Sequence, residues 1–97
     1  MPQFITRIEL HGAKGEDYNR LHTAMAGRGF SREIRASNGP VYLLPTADYI
    51  RDGGELTSHI VYIDAWGAAS SVSARFSVLV VEAAQPLTFS GLEPASA

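Results

Sequence analysis

From Phe4 to Leu10 the chain alternates. Phe4, Thr6, Ile8 and Leu10 fall on one face of an extended segment, and Ile5, Arg7 and Glu9 fall on the other. A period of two is the mark of a strand with one face on a core. His11-Gly12-Ala13-Lys14-Gly15 breaks it. From Glu16 to Gly27 the period lengthens: Tyr18, Leu21, His22 and Met25 recur at spacings of three and four and share one side of a helix, with Arg20, Thr23 and Gly27 opposite. Glu16 and Asp17 place negative charge where the helix dipole favours it, and Gly27 and Gly29 are candidate stops.

Phe30 to Ala36 and Val41 to Leu44 predict two strands joined by Ser37-Asn38-Gly39-Pro40, a hairpin sequence because Asn and Gly tolerate positive φ. Pro40 lacks a backbone donor and belongs at a strand entrance; Pro45 closes that strand, and Thr46 to Gly54 reads as a loop. Residues 57–70 predict a helix, with Leu56, Ile60, Ile63 and Gly67 in line, although His59 to Ile63 also has the β-branched character of a strand. Ser73 to Ala84 predicts a last strand, apolar on one face through Phe76, Val78 and Val80 and on the other through Leu79 and Val81. Pro86 ends it.

The order βαββαβ predicts an α+β, ferredoxin-like fold: a four-stranded antiparallel sheet with two helices on one face and right-handed crossovers. The first and third strands would be central. Residues 1–84 form the single domain of this reading, and 85–97, rich in Pro, Ser and Ala, an extended or flexible C-terminal tail. A valine-rich fourth strand at a sheet edge invites association. Either Leu87 to Leu92 folds back to cover it or a second subunit pairs there, so a homodimer is expected.

Composition narrows the function classes. Ninety-seven residues without cysteine leave no room for a separate cofactor lobe and exclude thiol chemistry and zinc sites built on Cys pairs. No apolar run approaches the roughly 18 residues of a membrane span, and no signal-like N-terminus is visible, which points to the cytoplasm and against membrane insertion. The formal charge of −2 gives no long-range attraction for nucleic acid. It conceals an asymmetry: residues 1–48 sum to +1 and 49–97 to −3, while residues 18–35 carry Arg20, Arg28, Arg32 and Arg35 against Glu33 alone. Arginine forms bidentate bonds to phosphate and carboxylate, although it equally serves as a solvated surface residue.

No catalytic motif stands out. His11, His22 and His59 lack the close spacing to other ligands that a metal site requires, so no metal and no cofactor is expected. His22 lies on the edge of the apolar helical stripe; a half-buried structural histidine is the plain reading and a catalytic role the sharper one. Gly12-Ala13-Lys14-Gly15 falls before a helix but matches neither a phosphate loop nor a dinucleotide fingerprint. On the open sheet face the expected residues are Ile5, Tyr42 and Leu44 with Arg7 nearby, a composition suited to a protein interface more than to a base-stacking platform.

The run Tyr18-x-x-Leu21-His22-x-x-Met25-x-x-x-Gly29-Phe30-x-Arg32, followed by Gly39-x-x-Tyr42-x-Leu44-Pro45-Thr46-Ala47-x-Tyr49, resembles a small bacterial family similar to GhoS, the antitoxin of a type V toxin–antitoxin pair. The shared features are Leu21 and Met25 on the helix, Phe30-Ser31 at the next strand and the Gly39 turn, over residues 1 to about 84. The resemblance implies a ferredoxin-like endoribonuclease that, in that family, cleaves a toxin messenger RNA. The related small CRISPR-associated nucleases carry an aspartate at the end of the first strand. Glu9-Leu10-His11 stands here instead, so cleavage would proceed without a bound metal. Arg20, Arg28, Arg32 and Arg35 are the RNA-contact candidates and His22 the catalytic candidate. The alternatives are a non-catalytic dimeric interaction module, with Ile5, Tyr42 and Leu44 at its interface, or an ACT-like small-molecule-binding domain.

Overall fold

In the computed structural model, which describes residues 2–36, 39–83, 88 and 90–95, the alternating N-terminal segment is β1 (Gln3–Leu10). Its inward set is the one the pattern predicts: Phe4, Thr6, Ile8 and Leu10 are buried. The first helix, α1 (Gly15–Ala26), begins where the Lys14 amide donates to the Asp17 carboxylate at 3.0 Å. That bond and the Arg20 side chain hold the Asp17 carboxyl below its ordinary range. Leu21 and Met25 are fully buried, and the backbone reverses at Gly29, whose φ of +88° is costly for other residues.

The next segment departs from expectation. A short hairpin, β2 (Glu33–Arg35) and β3 (Val41–Leu43), pairs antiparallel as predicted, with Gly39 at φ +109° in its turn. Ser37 and Asn38 lie outside the described residues. The segment read as a loop holds a further strand, β4 (Asp48–Asp52), and it is β4 that lies beside β1. Two Pro and Gly boundaries and three charged residues in five mask this strand in the sequence. Its inward side chains are Tyr49 and Arg51, whose polar ends are paired with His22 and Asp64, so no hydrophobic alternation marks it.

The second helix, α2 (Ser58–Ser70), forms within the predicted range, capped by Thr57 Oγ1, which accepts from the Ile60 amide at 3.2 Å. Its buried face is Val61, Ala65, Ala68 and Ala69. The small alanines let the helix lie close on the sheet. The stripe that suggested the helix faces the other way: Ile60, Ile63 and Trp66 are about half exposed. The last strand, β5 (Phe76–Ala83), pairs antiparallel with β1 over its whole length.

The chain is therefore a small α+β protein with two helices and two antiparallel sheets. One sheet has the order β4-β1-β5, and the other is the β2-β3 hairpin. The neighbour of β1 differs from the sequence reading: β3 turns away from β1 and β4 takes its place. Ser31, just before β2, joins the two sheets through reciprocal bonds to Ile50, each 2.8 Å. The helices share one core with the inward face of β1 and with Tyr49 of β4.

The tail lies against the hairpin. Its described part pairs with β3, through Leu43 N to Glu93 O at 2.9 Å and Ala95 N to Val41 O at 3.0 Å, and not with β5. Residues 84–87 and 89, which include two of the six residues (87–92) expected to fold back, lie outside the described residues. Among the described residues no strand pairs with the outer edge of β5, and no helix is long and apolar enough to cross a membrane.

Candidate functional site

His22 comes from the side of α1 that carries Leu21 and Met25, at the margin of that apolar stripe. Opposite it, β4 directs Tyr49 inward. The buried Tyr49 hydroxyl stands 2.6 Å from His22 Nδ1, and the two rings meet at a 60° tilt with centroids 5.6 Å apart. Burial pushes the Tyr49 phenol well above its ordinary range, so it is neutral at every physiological pH. Burial, and then the positive charge of Arg32, push His22 below its ordinary value of 6.5, so the imidazole is neutral at pH 7.

These groups line an open cavity of about 300 Å³ with Ala26, Phe30, Ser31, Arg32, Glu33 and Leu43. Phe30, Ala26 and Leu43 give it an apolar wall; Ser31, Arg32 and His22 supply donors and Glu33 a carboxylate. Arg32 is half-buried. Its Nη2 donates to the Leu44 carbonyl at 3.2 Å, and its buried Nε has no partner among the described residues. Arg32 also lines a second cavity, of about 330 Å³, whose other wall is Gly91, Leu92 and Glu93 of the tail.

The four arginines expected to meet RNA do not gather at one place. Arg20 bonds Asp17 at 2.9 Å and the Val72 carbonyl at 3.3 Å. Arg28 lies over Gly67 of α2, with Asp64 at 3.8 Å. Arg35 donates to the Gly39 carbonyl at 2.7 Å, within its own hairpin. Only Arg32 stands with His22. Arg51, absent from that set, bonds Asp64 at 2.6 Å and lies 5.2 Å over the Phe30 ring, locking β4 to α2.

The three interface candidates separate as well. Ile5 lies on the open face of the three-stranded sheet, between Ile50 and Val81. Tyr42 belongs to β3, where it pairs with Ile34 and bridges to Pro94. Leu44 is buried. The open face is instead continued by Leu79 and Val81, which are 60% and 52% exposed, beside the Arg7–Asp48 pair at 2.9 Å.

Sequence reasoning missed Tyr49 and Ser31. A strand reading of residues 48–52 would have turned Tyr49 inward, toward the helical stripe that holds His22. Among the described residues, no group of three or more His, Asp or Glu side chains could hold a metal ion. Comparison with known protein families and with curated proteins gives no match to this chain.

Proposed function

We propose that this chain is a GhoS-like small RNA-binding protein of a toxin–antitoxin type system, and that any RNA cleavage it performs is metal-independent, with His22 the candidate catalytic residue. One observation carries the reading: His22 and Arg32, two residues singled out from the sequence, converge on the same open cavity. A guanidinium beside a neutral imidazole suits a phosphodiester, which needs charge and hydrogen-bond donors together. The other three arginines are engaged elsewhere in the fold and serve as peripheral contacts at most.

The ferredoxin-like plan belongs to the same proposal. Taking the segment that starts at Ser31 as a strand beside β4 gives the order β2-β4-β1-β5, and the reciprocal Ser31–Ile50 bonds support it. Incubation with total RNA, with and without a chelator, tests the reading. Wild type should bind RNA in a salt-sensitive manner, and any fragments should form equally in chelator. Arg32→Gln should lose both properties. Intact RNA without salt-sensitive binding would sink it.

A second reading, a dimeric interaction module, is favoured by a different observation. β5 is eight residues long, with Glu82 its only charge, and Leu79 and Val81 are exposed on one face. On the helix side Trp66 packs edge-to-face on Phe76 at 5.6 Å, beside the exposed Ile60 and Ile63. Such an edge suits pairing with a second copy. Light scattering should then report twice the monomer mass, and Val81→Lys should restore the monomer. A monomeric wild type would refute the dimer.

A further inference from the structure

Arg32 is a half-buried cation with no ion-pair partner among the described residues. The ion pairs among the described residues are Arg7–Asp48, Arg20–Asp17, Arg28–Asp64 and Arg51–Asp64, and none involves Arg32. Removing a guanidinium from water without a counter-charge is costly, so a site of this kind favours an anion. The neighbouring imidazole adds to it. The Tyr49 hydroxyl is buried, and the one bond it has among the described residues is to His22 Nδ1. A buried O–H must donate somewhere, so it donates to Nδ1, and the ring proton then sits on Nε2. His22 thereby presents Nε2–H to the cavity as a donor. Ser31 Oγ accepts from the Glu33 amide at 3.0 Å and keeps its own proton to give.

We propose that this cavity receives the phosphate group of a nucleotide. Arg32 supplies the charge, His22 Nε2–H a neutral hydrogen bond, and Tyr49 is the positioning residue that fixes the tautomer; this rests on the reading of the chain as RNA-binding. The size of the cavity, about 300 Å³, and its apolar wall of Phe30, Ala26 and Leu43 fit one nucleotide. Glu33 is the one carboxylate on the lining and opposes the bound anion.

The test follows the His22 ring nitrogens by NMR in the full chain, at pH 7.5, titrated separately with inorganic phosphate, uridine 3′-monophosphate, uridine and acetate. Phosphate and the nucleotide should shift the Nε2 signal saturably, with the nucleotide about tenfold tighter, and raise the pH at which His22 titrates by about one unit. Uridine and acetate should leave it in place. Arg32→Gln should weaken the nucleotide about tenfold or more, and Glu33→Gln, at an exposed position, should tighten it about two- to fivefold. Tyr49→Phe should abolish the fixed Nε2–H signature.

A His22 signal unmoved by phosphate and nucleotide overturns the phosphate site, and an equal response to acetate does the same. A wild-type ring protonated on Nδ1 overturns the role of Tyr49. RNA binding with His22 unmoved overturns the cavity assignment alone, whereas a phosphate response without RNA binding overturns the RNA reading and leaves the phosphate site in place.

Discussion

Replacing Tyr49 by Phe removes one oxygen and nothing else from the core. The ring is 1% exposed and packed among the residues shared by both helices and β1, so Phe fills the same space. What is lost is the 2.6 Å bond to His22 Nδ1. A net protein hydrogen bond is worth about 1 kcal/mol, and a buried acceptor left bare costs about 1–3 kcal/mol. His22 is only half-buried, and water can partly replace the phenol, so a loss of about 1–1.5 kcal/mol is expected at pH 7.5. In urea, at a slope of about 1–1.5 kcal/mol per molar, the midpoint should fall by about 1 M with the slope unchanged. The difference between the two proteins should shrink in acid, because a protonated Nδ1 no longer accepts from the phenol. An unchanged midpoint at pH 7.5, or a difference that grows in acid, would refute the pairing and the tautomer with it.

Three further outcomes follow from named contacts. The His22 value lies below 6.5 in the folded chain, so the unfolded chain takes up the proton first; stability should be full above pH 6.5 and fall as the pH drops from there toward the folded value. His22→Gln should remove that slope in urea melts between pH 7.5 and 5.5. Thr6 is fully buried and its Oγ1 has no partner among the described residues, so Thr6→Val should raise stability by about 1 kcal/mol, read as a higher urea midpoint. At Gly67 an added Cβ would meet the Arg28 guanidinium at 2.8 Å, the flexible end of an exposed side chain whose contact to Asp64 is only 3.8 Å. Arg28 can swing clear, and Gly67→Ala should gain most of the roughly 1 kcal/mol that alanine offers in a helix interior, read as a higher thermal midpoint.

The parts of the fold legible in the sequence are those whose burial shows as periodicity. β1 was legible residue by residue because its inward positions, Phe4, Thr6, Ile8 and Leu10, alternate with Ile5, Arg7 and Glu9. α1 was legible from Leu21 and Met25. The range of α2 was legible but its orientation was not: the large apolar residues that suggest a core stripe stay outside, and alanines, which carry little signal, make the contact with the sheet. β4 was hidden because its inward residues are a tyrosine bonded to His22 and an arginine bonded to Asp64. Its burial is made affordable by partners distant in sequence. The same cause limits the site. His22 and Arg32 could be named, but their convergence depends on Tyr49 turning inward from β4 and on Ser31 pairing with Ile50.

The central claim is that Arg32 and His22 together receive an RNA phosphate. The most direct measurement is the affinity of the purified chain for a short single-stranded RNA by fluorescence anisotropy, at two salt concentrations, in chelator, for wild type, Arg32→Gln and Arg35→Gln. Wild type should bind in a salt-sensitive manner, Arg32→Gln should lose about tenfold or more with a reduced salt dependence, and Arg35→Gln, whose guanidinium is held by its own hairpin, should change by less than about threefold. Equal affinities in all three proteins, or no binding by wild type, would contradict it.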